Sequence, residues 1–81
     1  MMLTLSPTQI ASHIGGRVRQ QRIVSKLTQA EVAQTIGKSV PELEAAEIGE
    51  TMLTPADIVA LCYLFDVGPS WFFEGLIEQR S

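Results

Sequence analysis

The chain has 81 residues, 46% of them hydrophobic, with six Lys or Arg against nine Asp or Glu for a formal net charge of −3. That length allows one domain with a small core, and the apolar content is too high for a disordered segment. The single cysteine, Cys62, excludes an internal disulfide and a cysteine-based zinc site and makes a reducing cytoplasm the default. No apolar run approaches the ~18 residues of a membrane span, and the start lacks the basic-then-apolar layout of a signal peptide.

The charge is unevenly placed. Residues 8–38 carry Arg17, Arg19, Arg22, Lys26 and Lys38 against Glu31, whereas residues 39–81 carry eight acids against Arg80. A split of this kind suggests one basic face on an otherwise acidic molecule.

Met1 to Pro7 shows no periodicity and reads as a flexible arm, leaving residues 8–81 as the domain; Leu3 and Leu5 could instead pack on a partner subunit. A first helix is expected from about Thr8 to Ser25, with Ile10, Ile14 and Val18 as its apolar stripe. Gly15 and Gly16 weaken it, but could let another helix approach closely. At about 100° per residue, Arg19, Arg22 and Lys26 fall within roughly 60° of one another, a compact positive stripe.

The segment from Leu27 to Gly49 organises the chain. Thr28-Gln29-Ala30-Glu31 fits a capping box, in which the Thr hydroxyl and the Glu carboxylate each satisfy a free backbone N–H. Val32, Ala33 and Ile36 mark a buried face, and Gly37 can close the helix at positive φ. Ser39-Val40-Pro41-Glu42 repeats the box for a third helix, with Leu43, Ala46 and Ile48 placed inward and Gly49 ending it. Helix, glycine turn, helix is the helix-turn-helix arrangement, whose second helix can enter a DNA major groove. Pro41 lacks an N–H that an early helical position does not need, yet it biases Val40 away from helical geometry, so a late start or a shifted angle is expected there.

Thr54-Pro55-Ala56-Asp57 opens a fourth helix, with Thr as cap, Pro at the first position and Asp near the positive end of the dipole. Ile58, Leu61, Cys62 and Phe65 form its apolar face, and Asp66-Val67-Gly68-Pro69 breaks it. A fifth helix is expected from about Ser70 to Arg80, packing through Trp71, Phe72, Leu76 and Phe73. The fold class is all-α: a compact five-helix domain with its helix-turn-helix at about 28–48.

With these motifs in place, the chain resembles the phage Cro/CI-repressor (XRE-like) type of helix-turn-helix proteins, with a lambda-repressor-like fold, over roughly residues 10–78. The carrying stretches are IGGRVRQQR at 14–22, LTQAEVAQTIG at 27–37, Glu47-x-Gly49, and LFDVGPSWFFEGL at 64–76. The resemblance implies a DNA-binding transcriptional regulator of bacteria or phage that binds double-stranded DNA as a homodimer. It implies phosphate contacts from Arg19, Arg22, Thr28, Gln29 and Lys38. It also implies an Arg22–Glu47 pair tying the first helix to the third, and a dimer contact at Trp71, Phe73, Leu76 and Ile77.

The base-reading positions depart from the family. They are Val40, Pro41 and Ala45, with Glu42 and Glu44 beside them, where members usually carry Gln, Asn, Ser, Thr, Arg or Lys; Ser39 is the remaining expected groove contact. Arg or Lys to guanine and Asn or Gln to adenine are the frequent readers, and neither type stands between Ser39 and Ile48. Val40 and Pro41 can touch a thymine methyl, and Glu42 or Glu44 can accept from a cytosine amino group. Beyond the Arg22–Glu47 pair, Glu42, Glu44 and Glu50 have no obvious partner. The alternative is a degenerate helix-turn-helix whose acidic third helix serves as an antirepressor or adaptor for another regulator protein.

An enzyme is not expected. His13 is the sole histidine and reads as a surface residue, Cys62 as core, and Glu42 and Glu44 point to different sides of a helix. Neither a cofactor nor a metal is expected.

Overall fold

The computed structural model describes residues 5–76. Four α-helices follow one another: α1 (Pro7–Val24), α2 (Gln29–Thr35), α3 (Val40–Glu47) and α4 (Pro55–Phe65), and a short 3-10 helix (Pro69–Phe73) closes the series.

All four α-helices begin in the same way. Ser6, Thr28, Ser39 and Thr54 each accept from the backbone N–H three residues on, and Gln9, Glu31, Glu42 and Asp57 each accept from the cap residue's own N–H. Each box satisfies two of the N–H groups that a helix start leaves without partners. The box at Ser6 sets α1 going at Pro7, one residue earlier than expected from Thr8. Pro41 does not delay α3: with Ser39 as cap, the helix begins at Val40 and Pro41 falls where no N–H is needed.

All four also end alike. Lys26, Gly37, Gly49 and Asp66 adopt positive φ. After each, the next N–H reaches back to a carbonyl five residues earlier: Leu27 to Arg22, Lys38 to Ala33, Glu50 to Ala45 and Val67 to Cys62, at 2.9–3.0 Å. This closure absorbs carbonyls that the helix end would otherwise orphan. Glycine enters the left-handed region without steric cost, whereas Lys26 and Asp66 enter it against their Cβ.

The core gathers one stripe from every element: Ile14 and Val18 of α1, Val32 and Ala33 of α2, Leu43 and Ala46 of α3, Leu61 and Phe65 of α4, with Leu53 and Phe72. α1 packs on α3 and on the 3-10 helix, and α2 packs on α3 and α4. Two glycines permit close approach. A Cβ on Gly15 would fall on the backbone carbonyl of Ala46, and one on Gly49 would fall on Ser12. The small side chain of Ala46 and the missing one of Gly15 thus bring α1 and α3 into backbone contact. Gly16 has no such role, since a Cβ there would meet open space.

Three expectations are corrected. The fold is all-α, but among the described residues there are four α-helices rather than five: Pro69 begins a 3-10 stretch that ends at Phe73, before the turn at Glu74 and Gly75, and the rest of the expected fifth helix, residues 77–81, lies outside the described residues. Ile48 points outward and is exposed, because α3 ends one residue before it. Ile36, the C-cap of α2, is only half-buried.

The two adjacent glycines of α1 therefore respond oppositely to one substitution. Gly16→Ala should raise stability by up to about 1 kcal/mol through helix propensity. Gly15→Ala should lower it by about 2 kcal/mol or more, because α1 and α3 must separate. Urea titration of both variants reads the contrast. A second expectation concerns pH. Two hydrogen bonds from Ser39 hold the Glu42 carboxyl below its ordinary value of 4.5. A depressed carboxylate stabilises the fold above its unfolded value and loses that contribution as pH falls through the folded one. The stability difference between the parent and Glu42→Gln should therefore be constant above about pH 6 and shrink below about pH 4.5.

Candidate nucleic-acid interface

The junction of α1, α2 and α3 is held by one buried carboxylate. Glu47, at the end of α3, is 5% exposed. Its Oε2 accepts from Arg22 Nε at 2.7 Å, and its Oε1 accepts from Arg22 Nη2 at 3.2 Å and from Gln29 Nε2 at 3.1 Å. Arg22 Nη1 donates to the Leu27 carbonyl at 3.2 Å. A planar fork matched to a carboxylate gives two parallel charge-assisted bonds. Here it spans the end of α1, the turn into α2 and the end of α3, and so fixes the tilt of α3.

Of the two roles the resemblance implies for Arg22, this arrangement shows the pair with Glu47. All three of its nitrogens donate within the protein, so its guanidinium is a brace and not a free phosphate contact. Gln29 is half-buried and donates an amide N–H to Glu47, with Thr28 and Ala30 exposed on either side of it. Thr28 is exposed, with its hydroxyl accepting from Glu31 N–H.

Lys38 is paired as well. Its Nζ lies 3.5 Å from the carboxylate of Asp57, a buried residue that also caps α4. The lysine ties the α2–α3 turn to the start of α4 and also lines the surface groove beside Pro41 and Glu42. Arg17, unassigned by the sequence, lies over the Trp71 ring at 4.0 Å and donates to the Trp71 carbonyl at 2.6 and 3.1 Å. It also pairs with Glu74 at 3.3 Å. Half-buried His13 adds a 2.7 Å contact from Nε2 to the Glu74 carbonyl. Among the described residues, Arg19 and Lys26 are the cations outside these pairs, and both are exposed. Lys26 stands on the turn beyond α1, not on the helix, so of the expected three-residue stripe Arg19 alone is on the helix and outside these pairs.

The presumed reading surface is α3. Ser39, Val40, Pro41, Glu42 and Glu44 are exposed and Ala45 is half-buried. Glu42 is not partnerless, since its Oε1 accepts from Ser39 N–H at 2.8 Å. It remains anionic at the helix start, with Glu44 and Glu50 exposed nearby in the chain. At the other end of the molecule, Trp71 is half-buried beneath Arg17 and packs edge-on against Phe72, with ring centroids 5.0 Å apart. Phe73 is exposed, Leu76 is half-buried, and Ile77 lies outside the described residues.

The signals missed were tertiary. Thr54 as cap and Asp57 near the positive end of α4 are readable from the sequence, but not that Asp57 completes a capping box or that Lys38 meets its carboxylate. Arg17 stands one turn after His13 on the α1 side facing the 3-10 helix, which only the folded chain reveals. No helix among the described residues is long and apolar enough to cross a membrane.

Comparison with known proteins agrees with this geometry. An uncharacterized HTH-type transcriptional regulator, y4wC, of Sinorhizobium fredii (strain NBRC 101917 / NGR234) is 26% identical over 80 residues. The match covers 93% of this chain and 56% of the relative, so the chain spans a little over half of that protein's length. Residues 13–70, from the middle of α1 to the 3-10 helix, match a family described as a helix-turn-helix domain. That is well over half of the chain, and the protein belongs to this helix-turn-helix domain family.

Proposed function

We propose that the protein is a DNA-binding transcriptional regulator of the Cro/CI type, with phosphate-dominated affinity and modest base readout. The observation that carries this reading is the braced helix-turn-helix itself: the Arg22–Glu47–Gln29 network holds α3 at a fixed tilt while Val40, Pro41 and Glu42 at its start stay exposed. Arg19 and Lys26 supply the cations for phosphate contact, joined by Thr28 and Gln29 at the start of α2. Val40, Pro41 and Ala45 offer apolar contact to thymine methyls, and DNA shape supplies the rest of the preference. A two-fold pair of such domains would read a pseudo-palindromic site. A DNA regulator of this kind works in the cytoplasm, at the nucleoid.

A second reading is favoured by one specific observation. α3 presents Glu42 and Glu44 and no exposed cation, and a groove of about 330 Å³ runs beside it between Pro41, Ala45 and Met52. That surface suits a basic segment of another regulator, which would make the protein an antirepressor or adaptor.

Salt dependence separates the two. In the DNA reading, duplex affinity falls steeply with added salt. Arg19→Ala and Lys26→Ala each weaken binding and reduce the log–log salt slope by about 1. Lys38→Ala leaves that slope unchanged, since its charge is already paired. Anisotropy titrations with a duplex recovered by genomic footprinting measure these slopes. No duplex affinity even at about 50 mM salt would contradict the DNA reading.

A further inference from the structure

Among the described residues, Lys38–Asp57 is the longest ion pair, at 3.5 Å against 2.7 Å for Arg22–Glu47 and 3.3 Å for Arg17–Glu74. It also differs in kind. Arg22 is locked by a planar fork on a buried carboxylate, whereas Lys38 offers one point charge on a flexible stem. The Lys38 side chain is 26% exposed. The carboxylate does not depend on it. The Asp57 Oδ2 that faces Lys38 also accepts from the Thr54 N–H at 3.0 Å, within the box that starts α4. Losing the lysine therefore leaves Asp57 hydrogen-bonded and α4 capped.

Position gives the pair its meaning. Lys38 is the residue before Ser39, the cap of α3. Its side chain lines the groove that Pro41, Glu42 and Ala45 border on α3. The ammonium therefore stands beside the end of α3 that carries the exposed Val40 and Pro41. A polyanion meeting that end meets a lysine whose charge is already cancelled. Glu42 takes part in the cancellation. Ser39's hydrogen bonds lower its carboxyl most, Lys38 lowers it further and Asp57 raises it, so the three charges act on one another.

We infer that Asp57 limits the protein's DNA affinity: by holding the Lys38 ammonium at the α2–α3 turn, it withholds a phosphate contact beside the start of α3. The inference rests on the DNA-binding reading. The capping hydrogen bond alone does not call for a carboxylate at this position, since the neutral Gln9 does the same work at the start of α1. What Asp57 adds is its charge, and that charge meets Lys38. One withheld contact matters because, among the described residues, Arg19 and Lys26 are the cations outside ion pairs. A third cation facing the duplex would add a large share to the counterions released.

Anisotropy titrations of the full chain with the footprinted duplex, from about 50 to 300 mM salt, test this. Asp57→Asn keeps an acceptor for the Thr54 N–H. It should steepen the log–log salt slope by about 0.9 and raise affinity up to about tenfold at about 100 mM salt. Adding Lys38→Met restores the parent's net charge and should return slope and affinity to the parent's. Asp66→Asn removes the same charge from the far end of α4 and should leave the slope at the parent's value. Circular dichroism melts check folding. Asp57→Gln, with the residue type that completes the box of α1, is a second neutral variant and should steepen the slope equally. A parent-like slope in a folded, duplex-binding Asp57→Asn or Asp57→Gln variant overturns the inference and leaves the DNA reading standing. So does a steepened slope that persists after Lys38→Met. If neither parent nor variants bind duplex at about 50 mM salt, the DNA reading fails and this inference falls with it.

Discussion

The position of α3 depends on a single buried ion pair. Glu47 has lost nearly all contact with water, a loss costing several kcal/mol that only well-placed donors can offset. The fork of Arg22 and the amide of Gln29 are those donors. They come from α1 and α2, so satisfying one carboxylate fixes three helices together. Backbone contact between Gly15 and Ala46 holds the same two helices at closest approach. An ion pair of this kind adds little net stability over an apolar pair of equal volume, but it penalises misplacement severely. A tilt of α3 would strand a buried charge. Arrangement, more than gross stability, is what this pair supplies.

The same economy governs the surface. Arg17 fastens the 3-10 helix to α1, Arg22 fastens α3, and Lys38 fastens the start of α4. The described basic half of the chain is therefore mostly internal mortar. Arg19 and Lys26 remain to meet a polyanion, against Glu42, Glu44 and Glu50 on or next to α3. An interface with so few cations has a small counterion contribution, and α3 offers bases mainly apolar contact. The fold of a DNA reader and the electrostatics of a weak one coexist here. That tension keeps the adaptor reading in view.

Local chemistry was legible in the sequence, and tertiary chemistry was not. Capping boxes relate residues three apart, so Thr28–Glu31 and Ser39–Glu42 could be read directly, as could the closing glycines at 37 and 49. Lys26 and Asp66 close helices in the same geometry, but nothing about either residue type announces a positive φ. The fifth helix was overextended because Trp71, Phe72 and Leu76 fit an apolar stripe. Phe72 does reach the core, from a 3-10 turn that Pro69 begins. Counting charges along α1 identified a positive stripe, but charge alone does not reveal a partner. Arg22 and Lys38 were drawn inward by carboxylates 25 and 19 positions away in the chain. The Arg22–Glu47 contact entered through family resemblance and not through spacing.

A double-mutant cycle on Arg22 and Glu47 tests the central claim most directly. Chemical denaturation of Arg22→Met, Glu47→Leu and the double variant gives the coupling free energy between the two positions. The account predicts that each single change strands a charge and that the double variant recovers about 2 kcal/mol or more of the summed loss. Additive losses, within about 0.5 kcal/mol, would show that the pair does not hold α3 and would contradict the account.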